Sequence, residues 1–146
     1  MINKELIQLN VSCKDKEEAI RLSLKPFLDN KYIEESYIED VLKNLNSYGP
    51  YITIAPHIAM PHASTTSGVM KSGFGLTTLE EPVVFNCDHD PIKYLFPICA
   101  TRNDGTLGTI AALSNIISEP DLYDILDHVT DVDEFVSICE RIYAMN

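Results

Sequence analysis

Three things are scarce in this 146-residue chain, and each scarcity argues against a class of function. Basic residues are few: 11 Lys and Arg stand against 22 Asp and Glu, for a net charge of −11, and they are scattered along the chain. Nucleic-acid binding needs Lys and Arg clustered against phosphates, so no nucleic-acid partner is expected, whereas a basic protein partner suits the charge. Long apolar runs are missing. Nothing approaches the roughly 18 residues of a membrane span, and Met1 to Glu5 leads straight into polar sequence without a leader pattern, so a cytoplasmic location is expected. Cysteines are sparse and dispersed: Cys13, Cys87, Cys99 and Cys139 form no pair at metal or redox spacing. Cys99 lies in an apolar run and Cys139 on an apolar helical stripe, so reduced, structural thiols are expected. Cys87 falls in a loop, with no basic neighbour to activate it.

What is present reads as an ordinary globular chain, 45% apolar and 23% charged, with no repeat, low-complexity tract or linker. One domain over residues 1–146 is expected, burying roughly two-thirds of its unfolded surface. Leu6 to Val11 suits an edge strand. Ser12 is positioned to cap a helix that buries Ile20, Leu24, Phe27 and Leu28, and Pro26 should kink it or stop it near Lys25. A second helix from about Glu34 to Ser47 carries Ile38, Val41, Leu42 and Leu45 at helical spacing and ends at Gly49-Pro50.

Ser72 to Leu79 reads as a strand whose glycines, Gly73 and Gly75, imply close approach of backbone or ligand. Glu80-Glu81-Pro82 reads as a turn, Val83 to Phe85 as a short strand, and Tyr94 to Ala100 as a buried strand with Pro97 in conflict. Helices follow: one burying Leu107, Ile110, Ala111 and Ile117, a short one with Leu122, Ile125 and Leu126, and a last one boxed by Thr130 and Asp133. That last helix carries Val132, Phe135, Val136, Cys139, Ile142 and Tyr143 at helical spacing. The order predicts an α/β sandwich, with helices packed on a small mixed sheet.

The chemistry gathers in Tyr48 to Ala63, YGPYITIAPHIAMPHA, where the strand Tyr51–Ile54 runs beside Pro56-His57 and Pro61-His62. Neutral imidazole is a nucleophile near pH 7, and a hydrogen bond to one ring nitrogen fixes which nitrogen attacks. Ser64, Thr65 and Thr66 place hydroxyls next to His62, and the start of the helix near Leu107 adds a dipole, a set suited to phosphoryl oxygens. The bland alternative is a strand-end histidine that bonds backbone. A metal site from His57, His62, Asp88, His89 and Asp90 competes, but no spacing forces those groups together, and a solvated polar turn explains Asp88 to Asp90 as well. His128 reads as a favourable charge at a helix C-terminus.

The segment GPYITIAP followed by IAMPHA resembles the phosphorylation-site signature of the mannitol/fructose-type IIA component of the bacterial sugar phosphotransferase system, with GPY-I-IAP most similar to the ascorbate-type branch. Weaker similarity runs through Lys71-Ser72-Gly73-Phe74, Phe85-Asn86, Asp90-Pro91 and Leu107-Gly108. The resemblance implies the three-layer mannitol/fructose-type IIA fold. It implies a phosphocarrier in which His62 takes a phosphoryl group, on the ring nitrogen remote from the main chain, from the histidine-containing phosphocarrier protein HPr. The group then passes to a cysteine of a IIB component, and the membrane is met only indirectly, through IIC. It implies no cofactor, because the donor N–P bond is already high in energy. It also implies a docking surface that is apolar around His62 with acid at its rim, because HPr presents a basic patch.

In one respect the chain departs from the family's pattern. A second histidine is expected ahead of the helix that follows the buried strand, but none occurs between Thr101 and Leu107, and Asp104 or Thr106 stands there instead. Arg102 can offset the charge of Asp104, or Asp104 can hold the other nitrogen of His62, or His57 can substitute. The departure keeps a second reading open: a regulatory module of the same fold, whose phosphorylation state a partner senses.

Overall fold

Pro97 divides the apolar run that begins at Tyr94. With no N–H to give a ladder, it separates β6 (Ile92–Leu95) from β7 (Ile98–Cys99), and the two halves join different sheets. The computed structural model describes residues 2–64, 66–102 and 106–145, with only the backbone at 106 and 107. Its larger sheet has five strands in the order β1 (Ile7–Val11), β5 (Leu76–Val83), β6, β3 (Ile58–Ala59), β2 (Thr53–Ala55). Parallel pairs β1·β5 and β3·β6 alternate with antiparallel β5·β6 and β2·β3, so the sheet is mixed as expected. β4 (Gly73–Phe74) and β7 form a separate antiparallel pair.

The structure corrects further strand expectations and settles what approaches Gly75. Glu80-Glu81-Pro82 is no turn, because β5 continues through it to Val83. Pairing with β1 ends at Leu79, and pairing with β6 is irregular between Thr78 and Val83, so Pro82 interrupts no regular ladder. Tyr51 and Ile52 lie in a turn ahead of β2. What approaches Gly75 is backbone: a Cβ there would sit 2.1 Å from the Leu6 carbonyl oxygen.

Helices α1 (Lys16–Asp29) and α2 (Glu35–Tyr48) cover one face of the sheet, and Ile20, Leu24, Phe27, Tyr37, Val41 and Leu42 pack there. The cap of α1 is Asp15, which accepts the Glu18 N–H at 2.9 Å, and not Ser12. Pro26 does not stop the helix. Its missing N–H would orphan the carbonyl of Leu22, four residues earlier, and the side-chain amide of Gln8 donates to that oxygen at 2.7 Å. Gly49, at φ 79°, ends α2.

α3 (Thr106–Ile117), α4 (Leu122–His128) and α5 (Val132–Ala144) cover the other face and complete three layers. α5 is capped by Asp131, whose carboxylate accepts from Asp133 N–H at 2.7 Å, so the expected Thr130 box does not form. Its core stripe is Phe135, Cys139 and Ile142, with Tyr143 outside. The buried side of α3 is Ala112, Leu113 and Ile116. Of the residues expected in the core, Ile117 packs against it and also lines a cavity beside His62, whereas Ile110 looks into that cavity and Ala111 is exposed. The side chain of Leu107 lies outside the described residues. None of the described helices is long and apolar enough to cross a membrane.

Candidate functional site

His62 follows β3 by three residues, and the chain around it is held from several sides. Ile98 N–H donates to the Pro61 carbonyl at 3.1 Å, extending the strand contacts made by Phe96 and Ala59. The Ala63 N–H donates to the Tyr37 hydroxyl at 3.1 Å, which itself donates to the Ile98 carbonyl at 2.9 Å. Burial pushes the Tyr37 phenol well above its ordinary range, so it stays neutral and serves as donor and acceptor together. The Tyr51 hydroxyl donates to the His62 carbonyl, and the two rings meet edge to face, with centroids 5.2 Å apart.

The imidazole is half-buried, and its Nδ1 lies 2.6 Å from the Met60 carbonyl oxygen. A carbonyl only accepts, so Nδ1 carries the proton and the lone pair resides on Nε2. That backbone oxygen holds the second nitrogen of His62.

His62 lines a cavity of about 480 Å³ between the loop after β3, β7 and α3. Ser64, Thr66, Ser114 and Ser118 contribute hydroxyls to its wall. Ile54, 38% exposed, and Ile110, 46% exposed, make its open side apolar, as a docking surface requires. Among the described residues no carboxylate lines it. Cys99 forms part of the wall, but burial pushes its thiol up to about 12, and it donates to the Lys71 carbonyl at 3.2 Å, which leaves it inert.

The remaining expected site residues that are described do not join His62. His57 lines a different hollow, with Nδ1 bonded to the Pro91 carbonyl at 2.8 Å, and so does not substitute for the absent histidine beside His62. Arg102 is exposed and does not line the cavity. Thr65, Asp104 and the side chain of Thr106 lie outside the described residues. Among the described residues no three His, Cys, Asp or Glu side chains converge as a metal site. Asp90 turns inward instead, accepting the Phe85 N–H at 2.7 Å and the Cys87 N–H at 3.0 Å. His128 Nδ1 meets the Asp124 carbonyl at 2.8 Å; that bond, with the nearby Asp124 charge, raises its pKa.

Sequence reasoning overlooked Tyr37, Ser114 and Ser118. Tyr37 had a signal, since a tyrosine on the apolar stripe of a helix needs a partner for its hydroxyl. Ser114 lies on α3 and Ser118 just past its end, four residues on, on the side that also carries Ile110 and Ile117.

The family described as "Phosphoenolpyruvate-dependent sugar phosphotransferase system, EIIA 2" matches residues 1–142. The chain belongs to this family. It is an EIIA component of a sugar phosphotransferase system, a class of phosphoryl carriers. A relative is the mannitol-specific cryptic phosphotransferase enzyme IIA component of Escherichia coli, 37% identical over 130 residues, covering 89% of this chain and 88% of that one. Another is the ascorbate-specific EIIA component of Mycoplasma pneumoniae, 31% identical over 92% of this chain and 80% of that one. Among solved structures, the E. coli mannitol IIA in complex with phosphorylated IIB superimposes with a TM-score of 0.79 at 25% identity, over 96% of this EIIA chain and 97% of that one.

Proposed function

We propose that His62 receives a phosphoryl group on Nε2 from the phosphohistidine of HPr and delivers it to a cysteine of a IIB component. The observation that carries the reading is the Nδ1–H bond to the Met60 carbonyl, which leaves Nε2 as the nucleophile. In the forward step the Nε2 lone pair attacks phosphorus and the donor N–P bond breaks. Its electron pair returns to the donor imidazole. The charge left on the His62 ring is shared with the Met60 oxygen through Nδ1–H. In the second step a IIB thiolate attacks, and neutral His62 is regenerated with its Nδ1 proton never having left.

Ser64, Thr66 and Ser114 supply neutral donors for the phosphoryl oxygens. Thr65, Asp104 and Thr106 belong to the same proposal as further phosphoryl contacts, whereas Arg102, which does not line the cavity, is left out of it. The apolar rim of Ile54 and Ile110 is the docking surface for both protein partners, and the protein works in the cytoplasm. IIB docking is supported by the mannitol IIA relative seen with its phosphorylated IIB. The transported compound is a sugar, polyol or ascorbate-type molecule, as the names of the mannitol- and ascorbate-specific relatives suggest.

The test uses radiolabelled phospho-HPr and two variants. Label is expected on the parent and on His57→Ala, and none on His62→Ala; equal loss in both variants would refute the assignment. Adding the cognate IIB is expected to drain the label to its cysteine. Retention on this chain would instead favour the regulatory reading, for which the absent second histidine is the supporting observation.

A further inference from the structure

A hollow of about 380 Å³ shares no lining residue with the His62 cavity. That volume lies toward the low end of small-molecule sites, about 300–1,000 Å³. His57 forms one wall, at φ 67°, a left-handed conformation uncommon outside glycine that its backbone bonds hold in place. Its N–H donates to the His89 carbonyl at 2.8 Å, and its own carbonyl accepts from Lys93 N–H at 3.0 Å and Tyr94 N–H at 3.1 Å. With Nδ1–H given to Pro91, the exposed ring keeps Nε2 free.

Lys93 and Asp127 line the same hollow, yet no ion pair joins them within 4 Å. Two opposite charges facing one space without pairing suit a ligand that carries an anion at one end and hydroxyls at the other. Tyr123 adds an apolar wall. Its hydroxyl donates to the Pro56 carbonyl at 2.6 Å, and its ring stands 6.4 Å from that of Tyr94.

We propose that this hollow binds a phosphorylated sugar or polyol. The Lys93 ammonium holds the phosphate, Asp127 and the His57 Nε2 accept sugar hydroxyls, and the C–H face of the ligand lies on Tyr123. Inorganic phosphate would meet Lys93 but also the repulsion of Asp127, and an unphosphorylated sugar would leave Lys93 unmatched. A bare cation would find only His57 and Asp127, too few ligands to hold it. The site stands independently of phosphorylation at His62.

Titrate the full chain with mannitol 1-phosphate and glucose 6-phosphate, each beside its free sugar and inorganic phosphate, and follow amide and imidazole resonances by NMR. The phosphorylated compounds are expected to move His57, Lys93 and Tyr94 with a Kd of about 1 mM or tighter, and the controls to bind at least about tenfold more weakly. Lys93→Gln and Asp127→Asn should each weaken binding about tenfold, with the remaining amide spectrum and the labelling of His62 unchanged. Equal binding of inorganic phosphate would reduce the hollow to an anion site and overturn the proposal, as would equal binding of the free sugar. Movement confined to Ser64 and Thr66, or no movement with either phosphorylated compound, would also overturn it. Failure of the phosphocarrier reading would show separately, as absent label.

Discussion

The Tyr37 hydroxyl accepts the N–H of Ala63 at 3.1 Å, and so fastens the loop that carries His62 to helix α2. The same oxygen donates to Ile98, which places the loop against β7 as well. Tyr37→Phe keeps the ring but strands both backbone groups, and each unpartnered buried group costs about 1–3 kcal/mol. The variant should lose stability on that scale in urea titrations. It should also take phosphoryl groups from phospho-HPr about tenfold to a hundredfold more slowly, since small misplacement of a reacting group is expensive. An unchanged rate in a destabilised variant would show that the bond serves the fold alone.

The layers and the place of His62 after an apolar strand were legible because they rest on local pattern. The α2 stripe is one example, and the Pro-His-Ala step after an apolar strand is another. What stayed hidden depends on contacts distant in sequence. Leu22 and Gln8 meet only once the sheet has formed, so Pro26 read locally as a helix kink or stop. The phase of α3 was misread because Ile110 sits on its apolar stripe yet faces a cavity instead of the core. Tyr37 and Ala63, 26 residues apart, could not be paired from composition.

The contact between Gln8 and Leu22 can be tested by a double-mutant cycle. Gln8→Ala removes the donor that replaces the missing Pro26 N–H and also frees Thr77 Oγ1, 3.0 Å from the same amide. A loss of about 1–3 kcal/mol is expected in the parent. In a Pro26→Ala background the helix can supply its own N–H to Leu22, so the same substitution should cost clearly less. Equal costs in the two backgrounds would mean that Gln8 stabilises through Thr77 alone.

Alkaline pH should weaken the fold through two buried thiols. Burial pushes Cys99 from 9.0 up to about 12, and it pushes Cys139 to a similar value, with the Glu140 charge adding to the effect. Between these limits the unfolded chain gives up protons that the folded chain keeps. Their contribution is therefore complete below pH 9 and falls as pH rises towards 12, by about 1.4 kcal/mol per unit for each thiol. Urea midpoints should be flat up to about pH 9 and then decline, and Tyr37 adds to the loss above pH 10. Cys139→Ala should be less stable at pH 7 but decline less steeply. A decline of equal slope with and without Cys139 would contradict the assignment.

The phosphocarrier reading finally demands one tautomer of His62. Because Nδ1 faces a carbonyl oxygen at 2.6 Å, the unphosphorylated protein should hold its proton on Nδ1, and long-range nitrogen–proton NMR distinguishes the two forms directly. Labelling should then yield the Nε2-phosphoryl isomer. Tyr51 tests how far the ring must be held still. Tyr51→Phe loses the bond to the His62 carbonyl but keeps the ring edge, and it should slow labelling only modestly, since an exposed hydrogen bond contributes about 1 kcal/mol or less. Tyr51→Ala removes both supports and should slow it by a further factor of about ten, with the tautomer unchanged because Met60 still holds it. A protein in which Nε2 carries the proton, or in which the label resides on Nδ1, would break the link between this geometry and the chemistry assigned to it.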